Sequence, residues 1–146
     1  MLKKSLFGLF IVLIFASGAA AGAQAVYTPA KGSAERTAIL NALRLPVEKK
    51  LKQKISFSTD HFKANGNWAF LSGEPQTPNG GRPNYRSTPY RDAVDSGAFD
   101  NNFFALLRKT GGKWKVVVYA IGCTDVCYVS WWKDYKAPKA IFPYTE

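Results

Sequence analysis

Residues 103–121 read FFALLRKTGGKWKVVVYAI. Two apolar runs, Phe103 to Arg108 and Trp114 to Ile121, flank Thr110-Gly111-Gly112-Lys113, whose paired glycines suit a tight reversal of the chain. The stretch predicts a β-hairpin. Alternate side chains of a strand point to opposite faces, and here both sets are apolar: Phe103, Ala105 and Leu107 against Phe104 and Leu106, then Trp114, Val116 and Val118 against Val117, Tyr119 and Ile121. Strands of this kind are covered on both sides. The chain must therefore supply two covers for this hairpin.

Upstream, Ser33 can cap a helix whose apolar positions Ala38, Ile39, Ala42 and Leu43 recur at helical spacing, which gives the first cover. The helix is expected to pause at Pro46, with a second short helix from Pro46 to Lys54 that turns Val47 and Leu51 inward. Lys49, Lys50, Lys52 and Lys54 would then lie near a helix C-terminus, where cations suit the dipole. From Ile55 the pattern changes to a strand with Ile55, Phe57 and Thr59 alternating, Asn65-Gly66 signals a hairpin turn, and Trp68 to Leu71 is the returning strand. Residues 72–102 are rich in Pro, Gly, Asn and Ser and read as one long loop, with a helical turn between Tyr90 and Ser96. Downstream, Thr124 or Asp125 can cap a helix from Val126 to Tyr135, on which Tyr128, Trp131, Trp132 and Tyr135 follow helical spacing. Three candidates remain for the second cover: this tail, with Phe142 and Tyr144, a second copy of the chain docked on the sheet face, or a ligand. The predicted class is α+β, an N-terminal helix on a four-stranded antiparallel meander with a short C-terminal helix.

The first 25 residues carry Lys3 and Lys4, an apolar run from Leu6 to Phe15 and small residues from Ala16 to Ala25, the three-part plan of a cleavable secretory signal. Ala23-Gln24-Ala25 fits the cleavage rule and makes Val26 the mature N-terminus, Ala21-Gly22-Ala23 would serve almost as well, and the apolar run is well short of the ~20 residues that span a bilayer. A periplasmic or secreted product with no stable membrane span is expected, its residues 26–146 forming one domain. Without Lys3 and Lys4 the balance is 18 basic residues against 10 acidic ones, a net charge of +8. Such a surface is drawn to anionic ligands or acidic proteins, and the exported setting argues against nucleic acid. Cys123 and Cys127 are the two cysteines of the chain, and export permits a disulfide between them. Residues four apart in a strand are ~13 Å from each other, so a bridge requires a turn there.

Candidate chemistry is sparse. His61, the single histidine, adjoins Asp60, and the two could form a general base with its carboxylate. Adjacent strand residues face opposite ways, so the pair needs a β-bulge to act together. The Cys-x3-Cys spacing is not that of thioredoxin-like redox sites, two thiols and one histidine fall short of a structural zinc site, and neither a nucleophile elbow nor a phosphate-binding glycine loop is present. No cofactor and no metal are expected. The aromatic residues Tyr90, Tyr128, Trp131 and Trp132 are the candidate binding residues; Trp131 and Trp132 point some 100° apart on a helix, which favours one of them as a surface anchor.

A helix leading into an antiparallel meander resembles the cystatin-like or nuclear-transport-factor-like layout, and the resemblance implies a curved sheet wrapped on a helix. Asn67-Trp68-Ala69-Phe70, Ala105-Leu106-Leu107-Arg108 and Ile121-Gly122-Cys123-Thr124-Asp125-Val126 resemble segments of small bacterial periplasmic proteins without an assigned activity. That resemblance implies no catalytic residues, and fold alone does not choose between enzymes and binding modules. The expected function is a non-catalytic exported binding or envelope-associated domain. The alternatives are a small enzyme using His61 and Asp60 as a general base in a sheet cavity, and an immunity-type inhibitor of an acidic protein.

Overall fold

The structure is a computed structural model that describes residues 23–146; the expected leader lies, up to residue 22, outside the described residues. Helix α1 runs from Ala34 to Leu51. Ser33 caps it as expected, its Oγ accepting from the Arg36 amide at 3.1 Å, and Lys52, with φ 53°, closes it in the left-handed region. The break at Pro46 does not occur, and no second helix continues to Lys54. Proline in a helix interior removes one amide donor and costs about 3 kcal/mol. Ile39, Leu43, Val47 and Leu51, spaced four apart, are all wholly buried. Burying four such side chains gains roughly 6 to 12 kcal/mol, so continuity of the apolar stripe outweighs the local cost.

Strands β1, Ser56–Asn65, and β2, Trp68–Gln76, form the first hairpin across Gly66. β2 passes its expected end at Leu71, so the long connection starts at Thr77 and not at residue 72. Beyond Gly73 β3 no longer accompanies β2, and a proline is tolerated where one side of a strand is unpaired; Pro75 lies buried opposite Phe57. The connection holds a 3-10 turn at Tyr85–Ser87 and the short helix α2, Arg91–Asp95. It is pinned to the end of α1 by Gln53, whose amide donates to the Asn84 carbonyl at 2.9 Å and accepts from its amide at 2.8 Å. Tyr85 and Phe99 are buried with ring centres 4.5 Å apart, so the connection seals the rim of the helix-side core.

Strands β3, Phe103–Thr110, and β4, Lys113–Ile121, complete an antiparallel sheet in the order β1-β2-β3-β4. Both faces are filled. α1 packs on one, over Phe62, Ala69, Leu71, Phe103, Ala105 and Leu107. The tail covers the other, where Phe70 is wholly buried with its ring centre 4.6 Å from Phe142, 4.9 Å from Tyr128 and 6.4 Å from Trp131. The face considered for a second copy of the chain is thus occupied by the chain's own end. The tail is less helical than expected: α3 spans only Trp131–Asp134, not Val126 to Tyr135. The Cys123–Cys127 disulfide holds the two Cα atoms 6.2 Å apart, and residues 125–130 pass through successive tight turns. Asp125 accepts from the neighbouring Val126 amide at 2.6 Å and caps no longer helix. A 3-10 turn at Lys139–Ile141 lays Ile141 and Phe142 on the sheet.

Candidate functional site

The pairing of β1 with β2 slips between Thr59 and His61, which makes Asp60 the extra residue of a β-bulge. Gly73, opposite Thr59 with φ 153°, is what admits it: a Cβ there would sit 1.9 Å from the Ser58 carbonyl oxygen. The slip changes which side chains share a face. Thr59 and Phe62 reach toward α1, whereas Asp60 and His61 both reach the tail side. Asp60 Oδ1 accepts from the Ser72 hydroxyl at 2.6 Å. His61 Nε2 lies 2.8 Å from the Ile141 carbonyl oxygen, and since that oxygen can only accept, Nε2 carries the proton and Nδ1 is the basic nitrogen. The His61 ring meets Phe70 edge-on at 5.8 Å. The bulge that the pair requires is present, yet the carboxylate and the imidazole are bonded to different partners.

A groove of about 300 Å³ opens beside this bulge, between β1, the start of α1 and the segment that precedes it. That segment is tied to the edge of β1 by two backbone hydrogen bonds between Tyr27 and Ala64, at 3.0 and 2.8 Å. Arg36, in the first turns of α1, is fixed in three ways. Its Nη1 donates to the Pro29 carbonyl at 3.1 Å, its Nη2 donates to Thr59 Oγ1 at 2.7 Å, and its guanidinium lies 4.4 Å from the centre of the Phe62 ring. Lys63 donates from Nζ to Thr28 Oγ1 at 3.0 Å, and Lys31 stands exposed at the mouth. Among the described residues none of these three cations forms an ion pair. Three cationic residues therefore line a concavity whose one acidic lining residue, Asp60, has its carboxylate engaged by Ser72. Such a site suits an anionic group, with the planar Arg36 fork already oriented.

The aromatic candidates do not come together. Tyr128 and Trp131 are buried in the tail-side core. Burial raises the Tyr128 pKa above the ordinary phenol value, and the nearby Asp60 charge adds to the rise, so this hydroxyl stays neutral beside the carboxylate. Trp132 is half-exposed under the Lys139 ammonium, 4.6 Å from its ring. Tyr90 lies on the opposite side of the sheet, 5.4 Å from Phe99 between ring centres. Arg36, Lys31 and Lys63 were not singled out by sequence reasoning. Their meeting depends on the bulge and on the edge pairing of Tyr27, and the one signal for the bulge was Gly73 interrupting an otherwise strand-like run. Among the described residues no three His, Cys, Asp or Glu side chains gather as a metal-ligand group. Compared with protein-family models, curated proteins and solved structures, the chain matches none.

Proposed function

We propose that the chain is an exported, non-catalytic binding domain that holds an anionic group in the groove formed by Lys31, Arg36 and Lys63. The observation that carries this reading is Arg36, locked by two hydrogen bonds and an aromatic ring, in a groove with two further cations and a single acidic lining residue. A fixed guanidinium loses little freedom on binding, which favours recognition of a carboxylate or phosphate. An acidic side chain of a partner protein supplies the same chemistry, so an inhibitor of an acidic protein remains within this reading. Export is supported by the leader pattern at the N-terminus and by the disulfide; no helix among the described residues is long and apolar enough to cross a membrane. Against catalysis stand the separate hydrogen bonds of Asp60 and His61, which are made to Ser72 and to the Ile141 carbonyl and not to each other.

The test is calorimetric titration with inorganic phosphate and with citrate at low salt. Replacing Lys31 and Lys63 by Gln should weaken binding by roughly tenfold or more, and Arg36→Lys, which keeps the charge but loses the fork, by a smaller factor. Equal affinity of wild type and the double variant would end the proposal. A second reading, general-base catalysis, is favoured by the bulge that brings Asp60 and His61 to one face. Turnover of chromogenic esters or phosphoesters that disappears in both Asp60→Asn and His61→Ala would put that reading first.

A further inference from the structure

The two hairpin turns lie at one end of the sheet, and that end is basic on both faces. Trp68 is directly opposite Arg108, and Arg108 is directly opposite Lys115, so the three stand side by side across β2, β3 and β4. Lys113 shares their face two residues before Lys115. Arg108, Lys113 and Lys115 are all exposed, and Lys109 extends the charge to the other face with its ammonium 6.0 Å from the Trp114 ring centre. Like charges placed directly opposite each other weaken a sheet, so Arg108 and Lys115 are not paired for stability. Neither residues 61–73 nor residues 101–121 contain Asp or Glu, and none of these four cations forms an ion pair among the described residues. The Arg108 guanidinium rests 5.0 Å from the ring centre of half-buried Trp68, an aromatic and cationic pair suited to a headgroup layer.

The segment before α1 runs antiparallel to β1, with Tyr27 bonded to Ala64 and the Gln24 carbonyl accepting from the Asn65 side-chain amide at 2.8 Å. Gln24, the second of the described residues, therefore lies at this same end of the sheet. The turn from Thr110 to Lys113 is exposed throughout, so its lysine is open to an extended anionic surface.

From these placements we infer that the end of the sheet bearing Arg108, Lys109, Lys113 and Lys115 docks on an anionic phospholipid surface. This contact is separate from the groove at Arg36 and does not depend on it. Each lysine or arginine near an anionic leaflet strengthens attachment by roughly fivefold. The experiment is flotation of the protein recovered from the exporting host, its N-terminus read by mass spectrometry, with phosphatidylcholine vesicles that contain roughly a third phosphatidylglycerol. Lys113→Gln with Lys115→Gln should reduce partitioning roughly 25-fold, and half-molar salt should remove most of it. Lys133→Gln with Lys136→Gln, on the tail, should change it less than twofold. Should the double hairpin variant lose its circular dichroism signal, Lys113→Gln alone should still show the fivefold loss. Undiminished binding of the hairpin variants, equal binding to pure phosphatidylcholine, or retention on polyglutamate with none on vesicles would each overturn the inference, the last in favour of an acidic polymer.

Discussion

On its helix side the sheet meets aliphatic side chains set at regular intervals along one rigid element; on its tail side it meets rings delivered by a chain with almost no regular structure. α1 offers Ile39, Leu43, Val47 and Leu51 from a helix that satisfies its own backbone hydrogen bonds. The tail has one turn of α-helix and one 3-10 turn, and brings Tyr128, Trp131, Ile141 and Phe142 instead. Aromatic side chains bury more area per residue, so a few of them cover a sheet face that an irregular segment could not cover with smaller groups. Irregularity must then be restrained locally, and the Cys123–Cys127 clip lies where the tail leaves β4. A helix needs periodicity; a tail needs large side chains and a staple.

The comparison is most easily broken at Phe70, the ring around which the tail assembles. Phe70→Ala should cost about 3–5 kcal/mol in urea unfolding, with loss of the near-ultraviolet aromatic signal, while Leu43→Ala on the helix side should spare that signal. A tail signal that survived Phe70→Ala would mean that the rings cohere without the sheet. Replacing both cysteines by Ser should cost about 2 kcal/mol on the chain-entropy relation, with amide exchange accelerating first in residues 123–135 and least in α1. Uniform acceleration would show that the clip supports the whole fold. The smallest effect belongs to the helix side, where Pro46→Ala restores the amide that proline lacks. A gain of about 1 kcal/mol in thermal unfolding is expected, because the lost rigidity of the unfolded chain offsets part of the helix benefit.

Both hairpins and the two-sided burial of β3 were legible in the sequence, because turn glycines and apolar runs are local signals. Ser33 was legible for the same reason. A register slip on β4, however, puts Tyr119 and Ile121 on the helix side with Trp114 and Val116, and Val118 on the tail side, against simple alternation. Pro46 misled: its local preference was for a break, and the apolar stripe that overrode it gains energy only once the sheet is there to bury it. Pro75 misled likewise, because its acceptability depends on how far β3 runs beside β2. Val126 to Tyr135 has helical spacing, but its first residues run through tight turns and only Trp131–Asp134 forms an α-helical turn. The candidate site was the least legible part. Asp60 and His61 could be named from their types, but the bulge that brings them to one face is a matter of register between strands. Arg36, Lys31 and Lys63 come from three segments that meet only through that register and through the pairing of Tyr27 with Ala64.

Strand order in the sheet is the same as chain order, and this bears on the sequence of events as the chain folds. Each hairpin can close from sequence neighbours at small entropic cost, so the sheet can assemble early. The cover for its second face is encoded after everything it covers. A chain released from its N-terminus onward therefore presents Phe70, Phe104 and Leu106 bare until the residues from Tyr128 to Phe142 are also free. That interval, rather than any weakness of the finished fold, is when the molecule is most open to self-association or to capture by a chaperone.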